Sequence, residues 1–242
     1  MTFFVPARRN SERFPRKNTA NLSGKPLIAH TFDLIDELAL IRDAGRVLMP
    51  TKTVVSSDDD DVLSMASQRG YEAVSRPERL CTSTAKMSDV LCHAVSHFSD
   101  DDVCVLYPTN PFRRAATVMS AILAFAGTTS PTSVMGVEKV IQRPVGLMSM
   151  GHLNKLALNR PDMVHVYQSQ MQDAEYRANG ALYLFHSKTI MNGDVDAQLF
   201  TEDTRGYIMD AVESFEIDEP EDMVMAFALA QINALEAIPC RP

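Results

Sequence analysis

The chain has 242 residues, 45% of them hydrophobic, which suits one α/β domain and excludes a fibrous or disordered chain. A formal net charge of −8 argues against a general nucleic-acid or anionic-membrane binder. No apolar run approaches the roughly 20 residues that span a bilayer, and four cysteines without a CxxC pair or a histidine at zinc-ligand spacing point to reduced thiols in the cytoplasm.

The start, MTFFVPARR, places its charges after the apolar residues, so Phe3 to Val5 reads as a buried first strand rather than a secretory signal. A basic loop runs from Ala7 to Asn21. Apolar residues at helical spacing then predict a helix over Leu27 to Leu40. Val54 and Val55 make a second strand. The acidic run after it reads as the start of a helix rather than a metal cluster, with Ser57 or Asp58 as its cap and the other acids favoured at its positive end. Helix 88–98, strand 103–107, helix 116–125 and strand 133–137 continue the alternation, which implies a mainly parallel sheet with helices on both faces. From about 138 to 178 the rhythm breaks, as in an inserted arm. Strand 181–185, a late strand over 214–218 and a helix opened by Pro220 complete the chain.

Ligands of such sheets bind beyond the carboxyl ends of the strands, and the unusual residues sit there. ARRNSERFPRKN (Ala7 to Asn18) follows the first strand and offers backbone N–H groups, the Ser11 hydroxyl and cations, the parts that hold a polyphosphate. It lacks GxxxxGK[ST], and no GxGxxG occurs anywhere. Glu216 and Asp218 lie two apart; on a strand their carboxylates share a face and can converge on one hard cation, although a solvated edge or a helix cap would use the same residues.

At this loop the sequence resembles the cytidylyltransferases that activate sialic acid and related nonulosonates. The resemblance rests on Ala7-Arg8, Ser11, Lys17-Asn18 and Gly24-Lys25-Pro26-Leu27. It continues through SRPERL with Arg76-Pro77, LYPTNPFR with Pro108, Thr109, Pro111 and Arg113, YRANGALYL with Asn179, Gly180 and Tyr183, and FEIDEPED. It implies a single domain over 1–242 of Rossmann-like, GT-A-like three-layer form, and a homodimer held partly by the inserted arm. It also implies Mg²⁺- or Mn²⁺-dependent transfer of CMP from CTP to a nine-carbon acidic sugar. On this reading Ala7, Arg8, Asn10, Ser11, Lys17, Asn18, Arg76, Pro108 and Thr109 bind the nucleotide, and Gln170, Asn179 and Tyr183 meet the sugar. Glu216 and Asp218 hold the metal, and Arg8, Lys17 and Asp218 carry the catalysis.

The chain departs from the family pattern at Glu12, where a lysine is usual, at Tyr107, where glutamine is usual, and at Glu216, where aspartate is usual. Hydroxyl contacts to the nucleotide shift to Ser83, Thr84 or Ser88. YPTNPF, VIQRP and QSQ resemble the pseudaminic acid branch, whereas NGALY resembles the sialic acid branch, so the exact nonulosonate stays open. The rival readings are a catalytically impaired nucleotide-binding homologue and an enzyme for another acidic sugar such as Kdo. A hexose 1-phosphate enzyme would show a glycine-rich GxGTR-type loop, which is missing.

Overall fold

Short apolar runs alternating with helical spacing leave each helix with one face to bury, and a sheet is the partner available. The structure, a computed structural model, describes residues 1–40, 52–98, 101–126, 132–140, 147–159 and 174–235. β1 (Thr2–Pro6) leads through the basic loop and the short β2 (Asn21–Leu22) and β3 (Lys25–Pro26) into α1 (Leu27–Leu40). Then come β4 (Lys52–Ser57), α2 (Asp60–Gln68), β5 (Glu72–Ser75), α3 (Met87–Ala94), β6 (Asp102–Val105) and α4 (Ala115–Phe125). β7 (Ser133–Lys139), the hairpin β8 (Met148–Met150) and β9 (Leu156–Leu158), β10 (Tyr176–His186), α5 (Ser187–Met191), β11 (Thr204–Ile208) and α6 (Pro220–Leu235) follow.

Seven strands form one sheet in the order β11-β7-β10-β6-β1-β4-β5. β1 pairs in parallel with both β4 and β6, β4 with β5 and β11 with β7, whereas β10 runs antiparallel to β6 and β7. The sheet is thus mainly parallel, as the alternation predicts. Successive residues of β1 serve opposite faces: Phe3 and Val5 pack with Phe32 and Ile35 of α1 and Val118 and Phe125 of α4, while Phe4 packs with Val90 and Leu91 of α3. Burying such a side chain contributes roughly 1.5–3 kcal/mol. α6 packs through Met223 and Ala226 on Leu22, Leu27 and Ile217, a small satellite core beside the basic loop.

The structure corrects the sequence reading at several places. Residues 214–218 are not a strand: Ile217 N–H donates to the Thr109 carbonyl (2.9 Å) and the Phe215 carbonyl accepts from Asn110 Nδ2 (3.3 Å), so their backbone groups serve a loop contact instead of a ladder. The last strand of the sheet is β11 instead, and β5 adds an edge strand that the sequence pattern does not show. Asp59, not Ser57 or Asp58, caps α2, accepting from the Asp61 N–H at 3.1 Å. Ser57 is occupied with the Ala7 carbonyl and the Asp59 N–H, and Asp58 with the Arg9 N–H. The α-helix expected to reach Phe98 ends at Ala94 and tightens into a 3₁₀ turn over Val95–His97. Of the arm expected at about 138–178, the described part is the end of β7, the β8–β9 hairpin and the start of β10.

Candidate active site

The carboxyl end of β1 feeds the basic loop, and local bonds set its course. Ala7 N–H donates to the Ser56 carbonyl at 2.9 Å, which carries the β1–β4 ladder one residue beyond the strand. Asn18 Nδ2 reaches back to the Arg8 carbonyl at 2.8 Å and closes the loop on itself. Arg16 takes a left-handed backbone (φ 55) and starts a 3₁₀ turn over Lys17–Thr19, which turns Lys17 and Asn18 inward to burial.

The loop forms one wall of a cavity of about 430 Å³, and the residues that the sequence placed in different motifs meet there. Arg8, Ser11, Lys17 and Asn18 come from the loop, Arg76 from the segment after β5, Pro108 and Thr109 from the turn after β6, and Glu216 and Asp218 from the stretch before α6. Ser83, one of the three hydroxyls in question, also lines it, as do Glu12, Arg13, Met87 and Tyr107. Ala7 and Asn10 do not line the cavity: Ala7 is buried as the hinge of the loop and Asn10 is exposed. Gln170 lies outside the described residues.

The charged groups are held in opposition. Lys17 Nζ is 2.9 Å from Asp218 Oδ1, and Arg13 NH2 is 2.8 Å from Asp218 Oδ2. Burial alone would push the Asp218 carboxyl up; the bonds and charges of Lys17 and Arg13 outweigh it and hold the group below the usual carboxylate range. Glu216 goes the other way, because burial and then the Asp218 charge push its carboxyl above the usual range, and only a long bond from Thr109 Oγ1 (3.3 Å) and distant cations oppose them. Arg76 is 5% exposed; burial pulls its guanidinium down, while Nε and NH2 donate to Ser56 and fix its direction. Arg8 donates to the Thr82 carbonyl at 2.9 Å.

The turn after β6 behaves differently. Arg113, carried by the same motif, is wholly buried and donates to the Ala181 carbonyl (2.8 Å) and Thr31 Oγ1 (2.6 Å), and burial pulls its guanidinium down to about 10. Asn110 is fully buried and ties the Asn179 carbonyl to the Phe215 carbonyl. Asn179 itself donates to Ser214 Oγ (2.8 Å) and accepts from Ala181 N–H (3.0 Å), so its amide braces β10. A Cβ at Gly136 of β7 would stand 2.6 Å from Asn179 Oδ1, and that position has to be glycine for the brace to fit. Gly180 sits in the left-handed region (φ 71), where β10 bulges under Glu216. Tyr183 does not line this cavity; its ring meets Tyr107 edge-on at 5.8 Å, and burial and then Glu216 push its hydroxyl up to about 12.

A second cavity of about 340 Å³ shares Glu216 and Asp218 with the first and is lined also by Glu138, Arg177 and Asn179. One side of the pair Glu216/Asp218 thus carries cations and the other opens on a polar bay. Two carboxylates beside a cationic wall fit a divalent ion that takes its remaining oxygens from an anionic ligand and water. Among the described residues no group of three or more His, Cys, Asp and Glu side chains converges, so a protein-only metal cage is not what these residues build. Arg13 is the participant that the sequence did not single out; only its place in a crowded basic loop hinted at it, and its partner lies 205 positions away.

A protein-family profile described as cytidylyltransferase matches residues 2–238. The chain is 28% identical over 239 residues to the CMP-N,N'-diacetyllegionaminic acid synthase of Legionella pneumophila, covering 95% of each. It is 26% identical to the pseudaminic acid cytidylyltransferase of Campylobacter jejuni, again covering 95% of each. Against the N-acylneuraminate cytidylyltransferase of Escherichia coli it is 27% identical over 94% of its own length, but spans only 51% of that relative. In structure it superposes on CMP:2-keto-3-deoxy-manno-octonic acid synthetase complexed with CTP with a TM-score of 0.65, at 14% identity and covering 96% of this chain and 98% of the other, a likeness of fold. With the match running through nearly the whole chain and the site residues gathered at the strand ends, the chain belongs to the cytidylyltransferase family.

Proposed function

We propose that the protein transfers CMP from CTP to the anomeric hydroxyl of a nonulosonic acid of the sialic, legionaminic or pseudaminic type and releases pyrophosphate. The observation that carries this reading is the single cavity in which Arg8, Ser11, Lys17 and Arg76 meet Glu216 and Asp218. The relatives named for legionaminic, sialic and pseudaminic acid support the sugar class. In the step itself a bond forms between the sugar oxygen and the α-phosphorus, the bond from that phosphorus to the pyrophosphate oxygen breaks, and the hydroxyl proton leaves to solvent.

The residues present act by positioning and charge. Arg8, Ser11 and Lys17 hold the triphosphate, and Asn18 keeps the loop closed behind it. Arg76, fixed on Ser56, presents its guanidinium to the nucleotide. The sugar occupies the second cavity, where Arg177 faces its acidic group and Asn179 keeps β10 in shape. Glu216 and Asp218 would hold Mg²⁺ or Mn²⁺, which when bound neutralises charge on the α-phosphate and the departing pyrophosphate.

We further propose a homodimer through the arm, supported by the exposed Met148, Met150, Leu153 and Leu156 of the hairpin, an apolar surface that a second copy would cover. A cytoplasmic location accords with the free thiols of Cys81, Cys92 and Cys104. A coupled pyrophosphate-release assay with CTP and a panel of the three nonulosonates tests the function. Release that depends on both CTP and one of these sugars is expected; a preference for UTP or ATP, or full turnover in excess EDTA, would overturn the nucleotide or the metal part.

A further inference from the structure

Both oxygens of the Asp218 carboxylate are already engaged, each by a different cation. Lys17 reaches Oδ1 from inside, with its side chain 10% exposed, and Arg13 reaches Oδ2 from the solvent side, with its side chain 61% exposed. The backbone behind the carboxylate cannot swing away, since Asp222 Oδ2 accepts from both the Asp218 and the Glu219 N–H at 2.8 Å. Glu219 also draws on Arg13, at 3.9 Å. A divalent ion arriving at Asp218 therefore meets two positive charges within hydrogen-bond distance of its ligand atoms, and both oppose it, the buried Lys17 more than the solvent-screened Arg13.

We infer that Arg13 is a positioning residue that keeps Asp218 closed to a divalent cation until a polyphosphate draws Arg13 and Lys17 onto itself, so that cation and nucleotide enter the site as one unit. The inference rests on the proposed CTP and metal chemistry. An exposed ion pair such as Arg13–Asp218 is weak and readily exchanged, while a triphosphate offers the same guanidinium several charge-assisted partners at once. As Arg13 turns to phosphate, one carboxylate oxygen is released to the ion. Because such coupling is reciprocal, the ion strengthens the hold on the triphosphate by the same factor. Arg13 thus works through Asp218, and its exposure lets it be removed without opening the core.

The test is Mn²⁺ binding followed by loss of the free-ion electron paramagnetic resonance signal, with no nucleotide present. Wild type is compared with Arg13→Ala, Arg13→Lys and the double variant Arg13→Ala/Asp218→Asn, and binding of Mg²⁺–CTP to wild type is measured by calorimetry in parallel. Arg13→Ala is expected to bind Mn²⁺ at least tenfold more tightly than wild type. Arg13→Lys, which restores a cation, is expected to return to within threefold of wild type, and the double variant to lose the gain. Equal Mn²⁺ affinity in wild type and Arg13→Ala, or a gain that survives in the double variant, would overturn the inference while Mg²⁺–CTP binding leaves the proposed function standing. Failure of wild type to bind Mg²⁺–CTP would overturn both.

Discussion

The basic loop over 7–18 and the turn over 108–113 leave neighbouring parallel strands at the same end of the sheet, and each carries a family motif. Their polar side chains have opposite fates. In the loop Arg8 holds one carbonyl and Arg13 the Asp218 and Glu219 carboxylates, and both face a cavity, whereas in the turn Asn110 and Arg113 are 0% and 6% exposed, lie off that cavity and are bonded to the chain on several sides. A buried, saturated arginine fixes distances between elements; a sparsely bonded one at a cavity wall is free to trade its partner for a ligand. Motif membership alone does not separate the two roles, and neither does burial, since Arg76 and Lys17 are 5% and 8% exposed and still line the cavity; whether the side chain reaches the cavity wall does.

The contrast breaks first at Arg113. Arg113→Ala leaves the Ala181 carbonyl and Thr31 without their donor and opens a void between β10 and α1, and the two costs together come to about 4 kcal/mol. A chemical melt should show that loss, and a wild-type midpoint would mean that the turn is not architectural. Lys17→Ala and Arg8→Ala should do the reverse: each removes roughly 2–4 kcal/mol of transition-state stabilisation, a fall in turnover of about a hundredfold or more, with circular dichroism unchanged. Wild-type rates would make the loop a solvated surface.

Glu216 sharpens the comparison through pH. Its carboxyl is raised in the fold, so the folded protein holds a proton that the unfolded chain gives up at the ordinary glutamate value. Stability attributable to this group therefore falls as pH rises through the interval from the ordinary value up to the raised one, and stays lowered above it. In EDTA, Glu216→Gln should melt later than wild type at pH 8 and no later at pH 4, while losing activity in Mg²⁺; Glu216→Asp should keep most of the activity. Equal melting of Gln and wild type at pH 8 would remove the electrostatic cost assigned here. The smallest effect is expected at Asn10, which is exposed and off the cavity: Asn10→Ala should change turnover less than about twofold and stability by less than about 0.5 kcal/mol.

Much of the architecture was legible because it is local. The 3.6-residue spacing over Leu27–Leu40 gave α1 at its observed bounds, and Pro220 marked the start of α6. β5 (EAVS) and β11 (TRGYI) escaped because they are short edge strands, partly exposed, whose identity depends on partners far along the chain. Residues 214–218 imitate a strand pattern, yet their backbone bonds go to Asp210, Val212 and Asp222 nearby and to Thr109 and Asn110 far along the chain, which no periodicity reveals. The motifs named Arg8, Lys17, Arg76, Glu216 and Asp218, and the fold gathers them around one cavity. They could not say that Arg113 turns inward or that Arg13 turns to Asp218, because side-chain direction in a loop is set by tertiary contacts.

The bulge in β10 is a joint that divides one strand into two lengths with different partners. Past it, Tyr183 to Phe185 are laddered on both sides, to β6 and to β7; before it, Tyr176 to Ala178 pair with β7 alone, next to the arm. A substitution before the joint can reshape the bay around Arg177 while the register of β10 on β6 stays locked. The lining of the bay and the centre of the sheet are in this way set by different lengths of a single strand, with Gly180 as the border between them.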